Sequence, residues 1–288
     1  MVRGNQETEY ATLTPGRTMA SSTWCEDAYF RYCIASEEAD GIRVSWEIKD
    51  LPGSELPVNF AVLKTENFGK EPFIQLTPPG YDSWTFLDTK TKYSGKQKII
   101  TYIVKIFTAT TTHESAPVYL FAGLQPKKRL LAKAILRRVE LSQRHIQNWH
   151  GYLLKRKWTG NPCSCVDPDT KQVLDSDCPL CFGTGFEAGY WRAAIKRNIL
   201  TSSPVSALPL YDINQIAGNV APAVMRAQIA GLPPINQYDA WVSPTVNYRF
   251  YITNIQVAAE MEGLPLVYNV ELRLAERSDI LYSFPVEV

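Results

Sequence analysis

Four of the chain's six cysteines stand in two close pairs, Cys163/Cys165 and Cys178/Cys181, within the run NPCSCVDPDTKQVLDSDCPLCFGTG. Two cysteines one or two residues apart can aim both sulfurs at one ion, and a second pair after about a dozen residues completes the tetrahedral set that zinc prefers. The Asp-, Pro- and Thr-rich stretch between the pairs reads as a turn. In the second pair, followed by Phe182-Gly183-Thr184-Gly185, the glycines free backbone amides to approach the thiolates. The first pair has one intervening residue where two are usual. That leaves open a strained knuckle, a disulfide pair, or a fourth ligand from elsewhere such as His150. No carboxylate-plus-histidine set adjoins the cysteines to activate a water, so the expected role of Cys163, Cys165, Cys178 and Cys181 is a closed, structural zinc site.

The second pair resembles the knuckles of zinc ribbons and the cysteine-rich repeats of DnaJ-type chaperones. Little else in the chain offers chemistry. Asp167, Asp169, Asp175 and Asp177 crowd the cysteines, but their spacing does not fit a calcium loop and suits turn formation. Ser94-Gly95-Lys96 lacks the glycine and helix context of a phosphate-cradling loop, and Gly183, Gly185 and Gly189 miss the dinucleotide spacing. There is no HExxH and no GxSxG, and the chain has three histidines in all. The expectation is a non-enzyme.

The expected class is mainly β with one long helix: a β-sandwich, an amphipathic helix, a small zinc module and a second β domain. Residues 1–22 are polar and aperiodic and read as a flexible arm. Residues 23–122 read as β throughout. Ile42, Val44, Trp46 and Ile48 alternate onto one face; residues 57–64 do likewise; 72–76 and 84–87 are shorter candidates; 99–107 and 117–121 complete the set. Short strands broken by Pro-Gly turns indicate a sandwich. Trp46 and the Tyr102-Ile103-Val104-Lys105-Ile106 run resemble a fibronectin type III domain, with both aromatics expected in the core. Cys25 and Cys33 are expected as buried thiols, with a disulfide between them as the alternative.

Residues 123–158 hold the expected helix and connector, with Pro126 suited to the first turn. Leu131, Ile135, Val139, Ser142, Ile146, Trp149 and Leu153 recur at steps of three and four, a packing seam. The opposite face is basic: Lys127, Lys128, Arg129, Lys133, Arg137, Arg138 and Arg144, continued by Lys155, Arg156 and Lys157. A phosphate backbone, an acidic protein surface or plain solvent would each complement it. Residues 159–191 form the cysteine module. In 192–288, residues 192–210 read as linker, 248–257 and 265–274 as a hairpin about Gly263, and 280–284 as a further strand.

With 288 residues, 45% apolar and 20% charged, the chain can bury ordinary cores, and a net charge of +1 favours no partner class. The N-terminal stretch has no apolar core region and reads as no signal peptide, and no run is long enough to span a bilayer, so synthesis in a reducing cytoplasm is expected.

Tyr152-Leu153-Leu154-Lys155-Arg156-Lys157-Trp158, Asp167-Pro168-Asp169-Thr170 and the second cysteine knuckle look like virion structural proteins of tailed bacteriophages. Asp239-Ala240-Trp241-Val242 and Pro265-Leu266-Val267-Tyr268 are similar to the same group. The resemblance implies a neck component, a collar or head-to-tail connector between portal and tail. It would be a homo-oligomeric ring made in the host cytoplasm, with portal and other neck or tail proteins as partners and DNA crossing the lumen as a further contact. A baseplate or tail-fibre attachment protein, and a zinc-dependent nucleic-acid-binding accessory protein, stand as the alternatives.

Overall fold

The computed structural model describes residues 28–38, 40–51, 56, 58–66, 70–91, 100–120, 124–146, 149–201, 224–245 and 247–286; the expected N-terminal arm, Cys25 and Ser94-Gly95-Lys96 lie outside them. In chain order the strands of the first half are β1 (Phe30–Glu38), β2 (Gly41–Ile48), β3 (Asn59–Thr65), β4 (Ile74–Gln75), β5 (Thr85–Asp88), β6 (Thr101–Phe107), β7 (Thr112–Glu114) and β8 (Val118–Tyr119). One antiparallel sheet has the order β1-β2-β5; the other runs β4-β3-β6-β7, with β8 also paired to β6. Apolar side chains from both, among them Val44, Trp46, Phe60, Val62 and Val104, meet in one buried cluster. Ile42, Val44, Trp46 and Ile48 are all buried, as their alternation requires, and so is Tyr102. β1 lies within the stretch expected as β but shows no alternation of its own, because both its faces are covered. Cys33 and Ala35 face the sheet-to-sheet core, whereas Tyr32 and Ile34 pack beneath the helix. Two-sided burial erases the period-two signal. Cys33 is buried in the first half, as expected.

The helix α1 (Pro126–His145) begins on Pro126 and carries Arg144 and His145 in its last turn, where the helix dipole favours cations. Its packing face differs from the expected seam. Ala132, Leu136 and Gln143 are buried, with Ile135 and Val139 packed beside them, while Leu131 and Ile146 are 54% and 69% exposed. Small Ala132 lets the helix approach closely, and Gln143 Nε2 donates to the Gln228 carbonyl at 3.1 Å. Trp149 and Leu153 belong to the following sheet and not to the helix.

That sheet is built from β9 (Tyr152–Leu154), β10 (Ile195–Lys196), β11 (Leu200–Thr201), β12 (Val224–Ala230), β13 (Ala240–Ser243), β14 (Tyr248–Met261) and β15 (Leu264–Leu274), in the order β10-β9-β13-β14-β15-β12-β11. The stretch expected as linker from 192 therefore supplies two strands, and 202–210 lies outside the described residues. β14 and β15 form the expected hairpin. Glu262 and Gly263 both take positive φ, 51° and 80°, the two-residue turn that matches strand twist. Ile280–Ser283 is a 3-10 turn and not a strand, started by Asp279, whose side chain accepts from Leu281 N.

The halves share their core. Phe60 meets Trp191 edge-on at 6.1 Å, Trp84 Nε1 donates to Ala193 O at 3.1 Å, and Asn236 Nδ2 donates to Glu47 at 2.8 Å. At the centre of the large sheet Trp241 stacks on Trp149 at 6.0 Å and donates through Nε1 to Arg197 O. Gly151 passes so close to this indole that a Cβ there would lie 2.1 Å from Trp241 Cζ2. Gly151→Ala is thus expected to cost about 1–3 kcal/mol through overpacking, read as a lower urea midpoint with an unchanged slope. Among the described residues, no helix is long and apolar enough to cross a membrane.

Candidate metal centre

The cysteine module is an elaborated loop between neighbouring strands. β9 pairs with β10, and the ladder continues outward through Trp191 N to Lys155 O, Lys157 N to Gly189 O, and Cys163 N to Gly185 O, each at 2.9 Å. Sequence-distant Pro162 and Phe186 bridge at the same level. This ladder brings the first cysteine pair against the second. Beyond it a miniature hairpin about Val166 and Val173 is closed by Leu174 N to Cys165 O. Asp167 accepts from the amides of Asp169 and Thr170, and Asp175 from that of Asp177, so these carboxylates make turns as expected.

The second knuckle is set by backbone shape. Phe182 and Gly183 take φ of 52° and 71°, and a Cβ at Gly183 would meet the Ser176 carbonyl at 2.8 Å. The turn closes through Phe182 N to Cys178 O and through the Thr184 hydroxyl to Cys181 O at 2.7 Å.

All four sulfurs lie within 4.8 Å of one another. Cys163 and Cys178 are 3.7 Å apart, Cys165 and Cys181 3.4 Å, and no disulfide joins them. A tetrahedral ion bound at about 2.3 Å requires sulfur–sulfur edges of about 3.8 Å. The four cysteines could therefore hold a metal ion. The single residue between Cys163 and Cys165 suffices because each faces a partner from the second knuckle. His150 is not a fourth ligand; its Nδ1 stands 3.0 Å from Asn198 Oδ1 at the base of the hairpin.

Electrostatics divides the sulfurs. The amides of Leu180 and Cys181 lower the Cys178 thiol to about 7, so it is half ionised near neutrality. Burial and the neighbouring sulfurs push Cys165 up, and burial raises Cys181 despite amides from Gly185 and Gly183. Because Cys178 is depressed, the stability it lends the metal-free fold is complete above the ordinary thiol range and is lost as pH falls through about 7. Cysteine thiols must shed their protons to bind a metal as thiolates. Acidification is thus expected to expel a bound ion, read as colour from a metal indicator; retention well below the carboxylate range would contradict thiolate ligation.

The expected basic face does not stay together. Lys127, Arg137, Arg138 and Arg144 are exposed. Lys128 pairs with Glu262, Lys133 pairs with Glu37 at 2.7 Å, and Arg129 Nε donates to Leu124 O. Lys155, expected on the surface, is 1% exposed and pairs with Asp239 at 3.2 Å. It follows β9, which enters the junction of the halves. Arg156 lies over the rings of Trp158 and Tyr238, and Lys157 over Trp191. A second buried charge, Arg197, reaches Glu38 at 3.3 Å. Asp239, Glu47, Glu38 and Arg197 were not among the expected site residues; the one available signal for a buried charge was a lysine following the apolar pair Leu153-Leu154.

No protein-family model matches the sequence, and no curated protein matches it. Among solved structures the chain is similar to the crystal structure of the exotype rhamnogalacturonan lyase YesX, at 11% identity and a TM-score of 0.25, over 80% of this chain. It spans 30% of that structure's length.

Proposed function

We propose that the chain is a structural protomer of a tailed-phage particle, a collar or head-to-tail connector subunit that assembles in a ring between portal and tail. The observation that carries this is the outward face of α1. Leu130 and Leu131 are 67% and 54% exposed, Leu141 and Ile146 45% and 69%, interleaved with Arg137, Arg138 and Arg144. Apolar side chains alternating with arginine are what a protein neighbour buries, since arginine and large apolar groups anchor interfaces. The pairing of Lys128, Lys133 and Lys155 within the chain favours a protein partner over a phosphate backbone.

Two further readings belong to this proposal. The four cysteines hold a structural zinc ion, which their all-sulfur donor set suits. The sheets β1-β2-β5 and β4-β3-β6-β7 form a fibronectin III-like sandwich, a reading their strand order supports. Metal analysis of protein purified in reducing buffer should give one zinc per chain.

The test of the assembly reading is antibody labelling and mass spectrometry on virus particles from the source. Signal at the head–tail junction, at the copy number of a ring, is the expected result; absence from particles would overturn it. Reversing both charges, Arg137→Glu with Arg138→Glu, is expected to abolish ring formation in native mass measurements while leaving the melting curve unchanged. Both side chains stand off the packed face.

A further inference from the structure

Three groups from separate parts of the chain meet in the interior. Lys155 follows β9, Asp239 precedes β13, and Glu47 lies on β2 of the other half. Lys155 is 1% exposed and Asp239 0%. Lys155 Nζ stands 3.2 Å from Asp239 Oδ2, 3.5 Å from Glu47 Oε2 and 3.2 Å from the Pro234 carbonyl, with the Trp84 ring centroid 5.7 Å away. The carboxyl of Asp239 is fixed from its other side. Oδ1 accepts from Arg156 N at 2.9 Å, and Oδ2 from Asn236 N at 2.7 Å. Glu47 is itself held, by Asn236 Nδ2 at 2.8 Å and by Arg31 at 3.4 Å.

Such an amine and acid, immobilised within contact and away from water, are reactants as much as an ion pair. Opposite charges sealed in a low-dielectric interior carry a desolvation penalty, which an uncharged amide between the same atoms does not. Fixed proximity supplies the orientation that an intermolecular condensation lacks. We propose that Lys155 and Asp239 condense into an intramolecular isopeptide bond, with Glu47 as the catalytic residue that moves the proton.

The step balances without a co-reactant. The ammonium gives one proton to Asp239 Oδ2, leaving a neutral amine and a carboxylic acid. Burial, the largest influence on this carboxyl, raises it above the ordinary range and favours that transfer. The amine lone pair then attacks Cγ, and negative charge gathers on Oδ1, where the Arg156 amide already points. Glu47 takes a second proton from the nitrogen and returns it to Oδ2, which departs as water. A C–N bond forms and a C–O bond breaks. The third ammonium proton stays on the amide nitrogen, and nothing is oxidised or reduced. The product would fasten the root of the cysteine hairpin to the turn that opens β13.

The test needs no variant to fold. Denaturing mass spectrometry of the purified wild-type chain is expected to give the sequence mass less one water. Proteolysis should then yield a branched peptide joining Lys155 to Asp239. A wild-type mass equal to that of the sequence, from protein shown by circular dichroism to be folded, would overturn the proposal and leave an ion pair. Glu47→Gln is expected to retain the unmodified mass; water loss persisting in that variant would remove Glu47 from the chemistry.

Discussion

With zinc in the proposed site, replacing Cys181 by serine is expected to abolish metal binding and to unfold the hairpin between residues 156 and 190, while all three sheets stay intact. The reason is the poverty of the module's own core. Cys163, Cys178 and Cys181 form a buried cluster supported by Cys165 and Val166 alone, apart from the large cluster that unites the halves. So small a unit has too little apolar burial to offset its chain entropy. Structural zinc contributes about 10–16 kcal/mol in isolated zinc-finger peptides at neutral pH, more than any hydrogen bond in the loop. Cys181 is fully buried, so its serine variant offers a poor ligand that cannot be replaced from solvent. Hydrogen exchange should show protection lost at Cys163 N and Thr184 N, which bond within the loop, and retained along β14 and β15. Cys33→Ser is the control. It places a hydroxyl in the first half's core and is expected to cost about 1–3 kcal/mol with metal content unchanged. Equal protection in the Cys181 variant and the wild type would show that the ladder from β9 and β10 holds the loop unaided.

Local pattern was legible wherever one face alone is buried. The alternation Ile42, Val44, Trp46, Ile48 is of this kind, the hairpin about Gly263 was marked by its glycine turn, and the paired cysteines announced their cluster by spacing. What could not be read depends on partners distant in sequence. β1 is covered on both faces and so lacks a period. The helix bears leucines around its whole circumference, at 130, 131, 136 and 141, so hydrophobicity selects no unique phase. Its true face was fixed by Ala132 and by a hydrogen bond from Gln143, neither of which an apolar count notices. Lys155 read as surface because lysine seldom enters a core without a partner, and its partner lies at Asp239. The placement of 159–191 as an insertion within one sheet follows from the pairing of β9 with β10 and β13, which no local signal encodes.

Arg197→Ala is expected to be the most costly single change outside the cysteines, about 3–5 kcal/mol, because it breaks a buried charge pair at the seam of the halves. Arg197 is 5% exposed; its guanidinium stands 3.3 Å from Glu38 and donates to the Leu232 carbonyl, while the Arg197 backbone carbonyl accepts from Trp241. Truncation leaves the Leu232 carbonyl without this donor and Glu38 with Arg43 as its remaining close cation, at 2.8 Å. The effect should depend on pH in a definite sense. Burial pushes the Glu38 carboxyl upward, but Arg197 and Arg43 outweigh it and the group ends below its ordinary value. A depressed carboxyl stabilises fully above the ordinary carboxylate range, and that contribution disappears as pH falls through the folded value. The urea midpoints of wild type and variant should therefore differ most near neutrality and converge towards about pH 3, where carboxylates protonate. Arg197→Lys keeps the charge without the fork that reaches both partners, so it should fall between them. If Arg197→Ala left the neutral midpoint unchanged, the shared aromatic core would be holding the halves together by itself, and Glu38 would answer to Arg43 alone.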